Sequence, residues 1–479
     1  MNYGLVSQII GKIMLITGAL FLLPIIVSFI YQDGCAMAFL LPMAIMLIAG
    51  FLLTRAKKQQ KSLYIGEGFL IVTLTWILIS LFSAAAFTLS GAIDSFLDAL
   101  FESVSGFTTT GATILTEIET LPHSILFWRS FTHWIGGMGV LVFILAINSN
   151  RETKDMYIMR AESPGPKASK IVSKTRNTAR ILYLIYVLLT LLEVVFLLAG
   201  GMPLFDSIVT AFATAGTGGF AIKNASIAAY DNAYFHYVIS VFMLLFGVNF
   251  SVYFLIFTGK IRDAWKNEEV RYYFGIIIVS TIAIAAIILG YVGNIADAIR
   301  ESFFTVSATI TTTGFVITDY NLWPTAAKII ILILMFVGGC SGSTGGGMKV
   351  IRILILGKLA SHELKLAGSP RTVRSVSIDG KAVNTEIVRG VGAYFIVFMI
   401  TFALSVILVS FDNLTITEAI SGVATCINNV GPGYESLGAV GNFSAVSAFS
   451  KVVFIIDMLL GRLELFPILA LFSPSLWKV

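Results

Sequence analysis

The sequence predicts an all-α integral membrane protein: four pseudo-symmetric units of span, pore helix and span around one pore, plus two extra N-terminal membrane helices. Three observations carry this. The chain is 57% hydrophobic and 12% charged, with mean hydropathy +0.89. A soluble chain carries about twice that charged fraction. Four short segments read alike, Ser103–Gly111, Thr210–Gly218, Val306–Gly314 and Val423–Gly431, and their final glycines lie 107, 96 and 117 residues apart. Lysine and arginine collect in every second connection between apolar runs.

Taken in order, the apolar runs give ten candidate spans, near 8–30, 36–54, 68–88, 124–147, 181–201, 234–258, 272–293, 326–357, 388–410 and 446–471. About 20 apolar residues cross a bilayer core. Four shorter stretches, near 96–110, 204–216, 298–312 and 415–429, suit a re-entrant half-helix instead. From residue 68 onward, span, short helix, glycine-containing loop and span recur four times. The expected units are 1–62, the N-terminal two-helix addition, then pore repeats 63–150, 151–260, 261–360 and 361–479, the third with a broken second span.

Orientation follows from basic residues, which stay on the cytoplasmic side. Connections 55–61, 148–180, 259–271 and 358–389 hold 22 of the 32 lysines and arginines. The opposite connections carry Asp33, Glu117, Glu119, Asp231, Asp319, Asp412 and Glu435. Both termini are therefore expected in the cytoplasm, with the short helices dipping in from outside. No cleavable leader is expected, since no small-residue cleavage site follows the first apolar run. Three scattered cysteines and four dispersed histidines give neither a disulfide framework nor a metal-ligand spacing. The net charge of +5 sits in loops that topology explains, so no nucleic-acid partner is expected.

Each short helix carries an acid before its glycine: Asp98, Glu301 and Glu418 lie 13 residues ahead, and Asp206 lies 12 ahead of Gly218. An acid in the first turn complements the positive helix end. These acids are mainly capping residues, but they fix the helix direction. The negative ends then face the pore centre, where they favour a cation. Glycine reaches the left-handed backbone that turns carbonyls toward an axis, and it leaves that axis open. Rings of backbone carbonyls are how a cation filter is built.

A second feature interrupts the span 326–357. Gly338, Gly339, Gly342, Gly345, Gly346 and Gly347 fall within ten positions. At about 1 kcal/mol each against alanine, they cannot continue a stable helix. The run lacks the spacing of a phosphate loop. At 1.5 Å per residue, position 340 lies about 21 Å into the membrane and Arg462 about 22 Å. A flexible polar loop and a cation thus share one depth below the filter. An arginine at that depth marks a functional site, or else Arg462 snorkels to the cytoplasmic interface and pairs with Asp457 or Glu464. Lys349, beyond the loop, either serves the gate or anchors at the interface.

These features resemble the Trk/Ktr/HKT superfamily of potassium and sodium transporters over nearly the whole chain. The N-terminal pair of spans matches its TrkH-type members and is lacking in Ktr-type subunits. The resemblance implies a potassium filter at Gly111, Gly218, Gly314 and Gly431, preceded by Thr110, Thr217, Thr313 and Val430. Sodium-selective plant relatives have serine at the first of these positions. The fourth segment departs most, with Asn428-Asn429-Val430 in place of threonines. The resemblance further implies a gate formed by the glycine-rich loop and Arg462. It implies a homodimer in the bacterial inner (plasma) membrane, in contact with lipid, and a cytosolic ring of nucleotide-binding TrkA-like regulatory subunits. The basic connections, including Lys167, Lys170 and Lys174, are its expected docking surface. Trp134-Ile-Gly-Gly-Met-Gly139 resembles a family signature whose role is close helix packing. Potassium is the expected substrate, and no cofactor is expected on the chain itself. An intramembrane enzyme would need clustered acids, histidines or a metal site at one depth, and none is seen. A sodium- or proton-coupled secondary transporter is the alternative, but inverted twofold repeats would mark it.

Overall fold

The computed structural model describes residues 3–56, 65–139, 175–368 and 375–474. Most of the basic connection 148–180, with Lys167, Lys170 and Lys174, lies outside the described residues. So do 57–61, 371–374 and the end of the predicted span 124–147.

Two helices, α1 (Tyr3–Leu20) and α2 (Leu22–Tyr31), run on almost continuously and pair with α3 (Ala36–Thr54). Their closest approach is at Gly11 and Gly50. A Cβ on either would lie 2.7–2.8 Å from the backbone oxygen of the other. Small residues at such crossings let helix backbones meet inside a membrane. Asp33, in the turn that follows, ties this addition to the first repeat. Its carboxylate accepts from Ser28 Oγ at 2.5 Å, from Cys35 N at 3.2 Å and from Ser124 N at 2.9 Å. Burial alone would raise its pKa, but the bonds from Ser28, Ser124 and Cys35 hold it below the ordinary carboxylate value. This tether therefore contributes at neutral pH and is lost as pH falls through the lowered value. Phe21 also packs on Trp128, ring centroids 4.4 Å apart.

The repeats follow. The first has α4 (Ile65–Leu89), the pore helix α5 (Phe96–Phe107) and α6 (His123–Gly137). The second has α7 (Thr175–Ala199), the pore helix α8 (Leu204–Gly216), then α9 (Ala233–Gly247), α10 (Phe250–Phe257) and the short α11 (Ile261–Trp265). The third has α12 (Glu268–Val292), the pore helix α13 (Ile295–Ile310), α14 (Thr325–Val337) and α15 (Val350–Gly368). After a two-stranded hairpin, β1 (Ser377–Ile378) and β2 (Lys381–Ala382), the fourth has α16 (Thr385–Val409), the pore helix α17 (Ile416–Asn428), α18 (Ala448–Arg462) and α19 (Phe466–Leu471).

The sequence predicts ten spans, whereas six helices among the described residues are long and apolar enough to cross: the N-terminal pair and the four outer helices. The inner helices stop after 13–15 residues. Only the break after α14 was expected. The predicted span 234–258 bends by 92° between α9 and α10, because Asn249 accepts from Ser251 N and starts a new helix. The predicted span 446–471 breaks at Glu464 and Leu465, both at positive φ, just before Pro467. Proline cannot continue a helix into its own preceding turn.

One substitution tests the N-terminal crossing. Gly50→Leu should lower the thermal unfolding midpoint in detergent, since overpacking costs about 1–3 kcal/mol. Gly290→Leu, where a side chain meets nothing within 4 Å, serves as control. Equal midpoints for the two variants would remove close packing at Gly50 as a source of stability.

Candidate functional site

The four pore helices end alike. The residues after them, Thr109, Thr217, Thr312 and Asn429, all take left-handed backbone with φ of 54–59°. Each N–H bonds three residues back, to Gly106, Thr214, Thr309 and Cys426. The next N–H, of Thr110, Gly218, Thr313 and Val430, bonds five residues back, to Ser105, Ala213, Ala308 and Thr425, at 2.8–2.9 Å. Two residues past each left-handed turn stands a glycine with φ of 74–110°: Gly111, Gly219, Gly314 and Gly431.

This corrects the register of the second segment. Gly219, not Gly218, holds the glycine place, while Gly218 matches Thr110, and Thr217 matches Thr109. The misreading came from two adjacent glycines. With Gly219 in place, Asp206 also lies 13 residues ahead, as in the other three. Glu301 does not stand in the first turn of its helix. α13 starts at Ile295, so Asp297 takes that place. The fourth segment follows the common geometry, since Asn429 adopts the same left-handed turn as the threonines.

The segments close into a ring. A Cβ built on Gly111 would lie 1.9 Å from Gly218 O, one on Gly219 1.9 Å from Thr313 O, one on Gly314 2.0 Å from Val430 O, and one on Gly431 2.8 Å from Thr110 O. Each glycine thus faces the peptide oxygen before the next glycine, in the cyclic order one, two, three, four. Above the ring, Gly111, Gly219, Gly314 and Gly431 share a cavity of about 80 Å³ with Thr113, Arg129 and Asn224 among others.

Beneath the ring lies the glycine-rich loop. Gly339 and Gly342 pack toward Gly247 and Asn249. Cys340 N donates to Gly247 O at 2.9 Å, and Thr344 Oγ1 to Phe246 O at 3.2 Å, at the end of the second repeat's inner helix. Gly346 N donates to Thr312 Oγ1 at 2.6 Å and Gly347 N to Asn428 O at 3.0 Å, directly under segments three and four. A Cβ at Gly345 or Gly346 would lie 2.8 or 2.4 Å from Thr311 O or Asn428 O, so side chains are excluded there. Gly338 and Gly347 touch across the loop's neck. Lys349 is buried, and its ammonium donates to Gly345 O inside the loop, so it is no interface anchor.

Arg462 reaches the same place from the fourth repeat. It donates to Thr109 Oγ1 at 3.2 Å, to Thr344 O at 3.0 Å, to Gly137 O at 2.8 Å and to Gly136 O. It therefore joins the first ring segment, the loop and the end of α6. The two acids weighed as its partners are engaged elsewhere. Asp457 accepts from Ser405 Oγ at 2.7 Å, and Glu464 pairs with Arg352. The signature glycines act as spacers. A Cβ on Gly136 would lie 1.9 Å from Phe107 O, and one on Gly137 2.7 Å from Gly216 Cα.

Sequence reasoning missed a buried ion pair beside the ring. Arg129 in α6 meets Glu102 in α5 at 2.8 Å, and both are at most 1% exposed. The signal was present, since a carboxylate inside a pore helix and a guanidinium inside a span need each other.

Two leading helices and four pore-helix units that close on a ring of backbone oxygens define a multi-pass membrane protein of the pore-helix class. The chain belongs to the TrkH family, described as cation transport proteins, whose family model matches residues 36–479. It is 35% identical over 487 residues to the Trk system potassium uptake protein TrkH of Salmonella typhimurium, covering all of both chains. It is 32% identical to the Trk system potassium uptake protein TrkG of Escherichia coli strain K12, covering 95% of this chain and 94% of that one. The crystal structure of the potassium transporter TrkH from Vibrio parahaemolyticus matches with a TM-score of 0.90 at 32% identity, covering all of both chains.

The corrected register is testable by second-site rescue. A Cβ on Gly218 would meet the His133 ring first, at 1.9 Å, whereas one on Gly219 meets a backbone oxygen at positive φ. Gly218→Ala should impair cation flux in liposomes, and His133→Ala should restore it. Gly219→Ala should impair flux with no such rescue. Rescue of both, or of neither, would return the second glycine to an open assignment.

Proposed function

We propose that the chain is a potassium uptake subunit whose filter has four segments: Thr110-Gly111, Gly218-Gly219, Thr313-Gly314 and Val430-Gly431. The observation that carries this is the cyclic contact of each glycine with its neighbour's peptide oxygen. Potassium is the proposed substrate because the relatives are named for potassium uptake. The ring offers backbone oxygen alone, which suits a hard monovalent cation stripped of water.

The proposed gate is the loop, with Gly338, Gly339, Gly342, Gly345, Gly346, Gly347 and Lys349, held by Arg462. A guanidinium about 5 Å from a cation, at an effective dielectric of 20, repels it by on the order of 3 kcal/mol. That is roughly a hundredfold in occupancy. The proposed units remain 1–62, 63–150, 151–260, 261–360 and 361–479. We further propose inner-membrane location with both termini cytoplasmic, a homodimer, and a TrkA-like nucleotide-binding ring docked on the basic connections.

Gly111→Ser would place a hydroxyl where the ring now has backbone only. Competition of sodium against rubidium uptake in liposomes should show a loss of preference for the larger ion. An unchanged ratio would count against the filter. For the gate, Arg462→Ala should raise basal rubidium flux without changing that ratio, since the filter lies above it. Unchanged flux in a folded Arg462→Ala variant would remove this residue from the gate.

A further inference from the structure

The ring is closed a second time, two residues further along each segment. At each of these positions the carbonyl accepts a hydrogen bond from the preceding repeat. Thr113 O accepts from Phe443 N at 2.8 Å, and Ala221 O from Arg129 at 3.1 Å. Val316 O accepts from Ala228 N at 3.1 Å, and Gly433 O from the Tyr320 hydroxyl at 3.1 Å. The donors thus run from repeat four to one, one to two, two to three and three to four. Three of the four donors are neutral, and the fourth is a guanidinium.

That guanidinium does more than bond one carbonyl. Arg129 Nε donates to Glu102 Oε1 at 2.9 Å and forms the buried ion pair. The same carboxylate accepts from Thr113 Oγ1 at 3.0 Å and from Ile114 N at 3.0 Å. One ion pair therefore holds the exits of two adjacent segments, at Thr113 and Ile114 in the first and at Ala221 in the second. Phe220, just past Gly219, lies under the guanidinium at 4.2 Å and stacks on His133 at 4.2 Å. Glu102 stands nine residues before Gly111, and the corresponding residues are Thr210, Thr305 and Gly422. Only the first pore helix can make this clasp.

We propose that this belt of carbonyl bonds sets the aperture of the ring, with Arg129 and Glu102 as its charged clasp and as specificity-determining residues. The inference rests on the filter reading above. Both side chains act on the ion through the segments they hold: the pair neutralises itself, and its bonds go to the filter exits. Loss of one partner would leave a buried charge and free peptide groups, a costly state that the segments relieve by moving apart. Discrimination between ions of one charge depends on the spacing and field of the carbonyls, so it is the ratio that should move.

The test uses the full-length chain in liposomes, with rubidium uptake measured against sodium competition. Arg129→Gln should reduce the preference for rubidium by on the order of tenfold, the ratio that corresponds to an unsatisfied buried group. Tyr320→Phe removes a neutral belt donor in the opposite quarter and should shift the ratio the same way by about fivefold or less. Gly111→Ser reports on the filter itself. If Gly111→Ser changes the ratio while Arg129→Gln and Tyr320→Phe only scale all fluxes equally, the belt is overturned and the filter stands. If Gly111→Ser leaves the ratio intact, the filter fails and the belt with it. Should Arg129→Gln not fold, Tyr320→Phe decides alone: an unchanged ratio overturns the belt.

Discussion

The structure depends on the contact between a glycine and the peptide oxygen of the neighbouring repeat. At three of four places a single added carbon would lie within 2.0 Å of that oxygen. A side chain at those positions would force the neighbouring backbone to shift, and no repeat can move outward without opening the ring. The pore helices must therefore end at one level, and all four do so through the same left-handed residue and the same pair of backbone bonds. In repeats one, two and four the 13-residue spacing from first-turn acid to glycine is the length of that device read along the chain, while the third pore helix starts a turn earlier, at Ile295 with Asp297. Backbone without regular structure survives at membrane depth because neighbours and a cavity surround it.

The backbone obeys fourfold symmetry, and the side chains break it. Under the ring one repeat supplies a loop and another supplies Arg462. Beside it only the first supplies Glu102 and Arg129. A ring of four separate identical chains could not do this, because every feature would appear four times. A loop of twelve residues repeated fourfold would fill the space that one copy fills. Single copies of a guanidinium are also easier to stabilise. Arg462 spreads its donors over Thr109, Thr344, Gly136 and Gly137, and bonds to a charged donor are worth about 1.5–3 kcal/mol each.

Much of this was legible in the sequence. The outer helices and the pore helices follow from hydropathy and length, and α3 and α8 begin and end where the sequence puts them. The depth argument rightly brought Arg462 and the glycine-rich loop together, because rise per residue is fixed inside a helix. Two things were hidden. The breaks at Asn249 and at Glu464-Leu465 sit in runs that hydropathy reads as continuous, since a bend changes hydrogen bonding and leaves composition alone. The register at Gly218-Gly219 was ambiguous locally. It was recoverable only from the acid spacing, where the second segment stood out as 12 against 13. The pair of Glu102 and Arg129 was missed because its members are 27 residues apart and neither belongs to a repeated pattern.

The short inner helices explain why the loop and Arg462 bond where they do beneath the ring. A helix that stops at mid-membrane leaves its last carbonyls without intrahelical donors. Gly136 O and Gly137 O at the end of α6 are taken by Arg462. Phe246 O and Gly247 O at the end of α9 are taken by Thr344 and Cys340 of the loop. Asn428 O at the end of α17 is taken by Gly347 N. The loop and Arg462, the elements of the proposed gate, are thus the same ones that satisfy the carbonyls around them. On the proposed gating, withdrawing them exposes polar oxygens of the first, second and fourth repeats below the ring, and water or a cation can then satisfy them. An opened path would therefore be wet and lined by negative dipole ends, which favours a cation over an anion. On that reading, closing restores those bonds and expels the water, so hydration and the position of the proposed gate form one equilibrium.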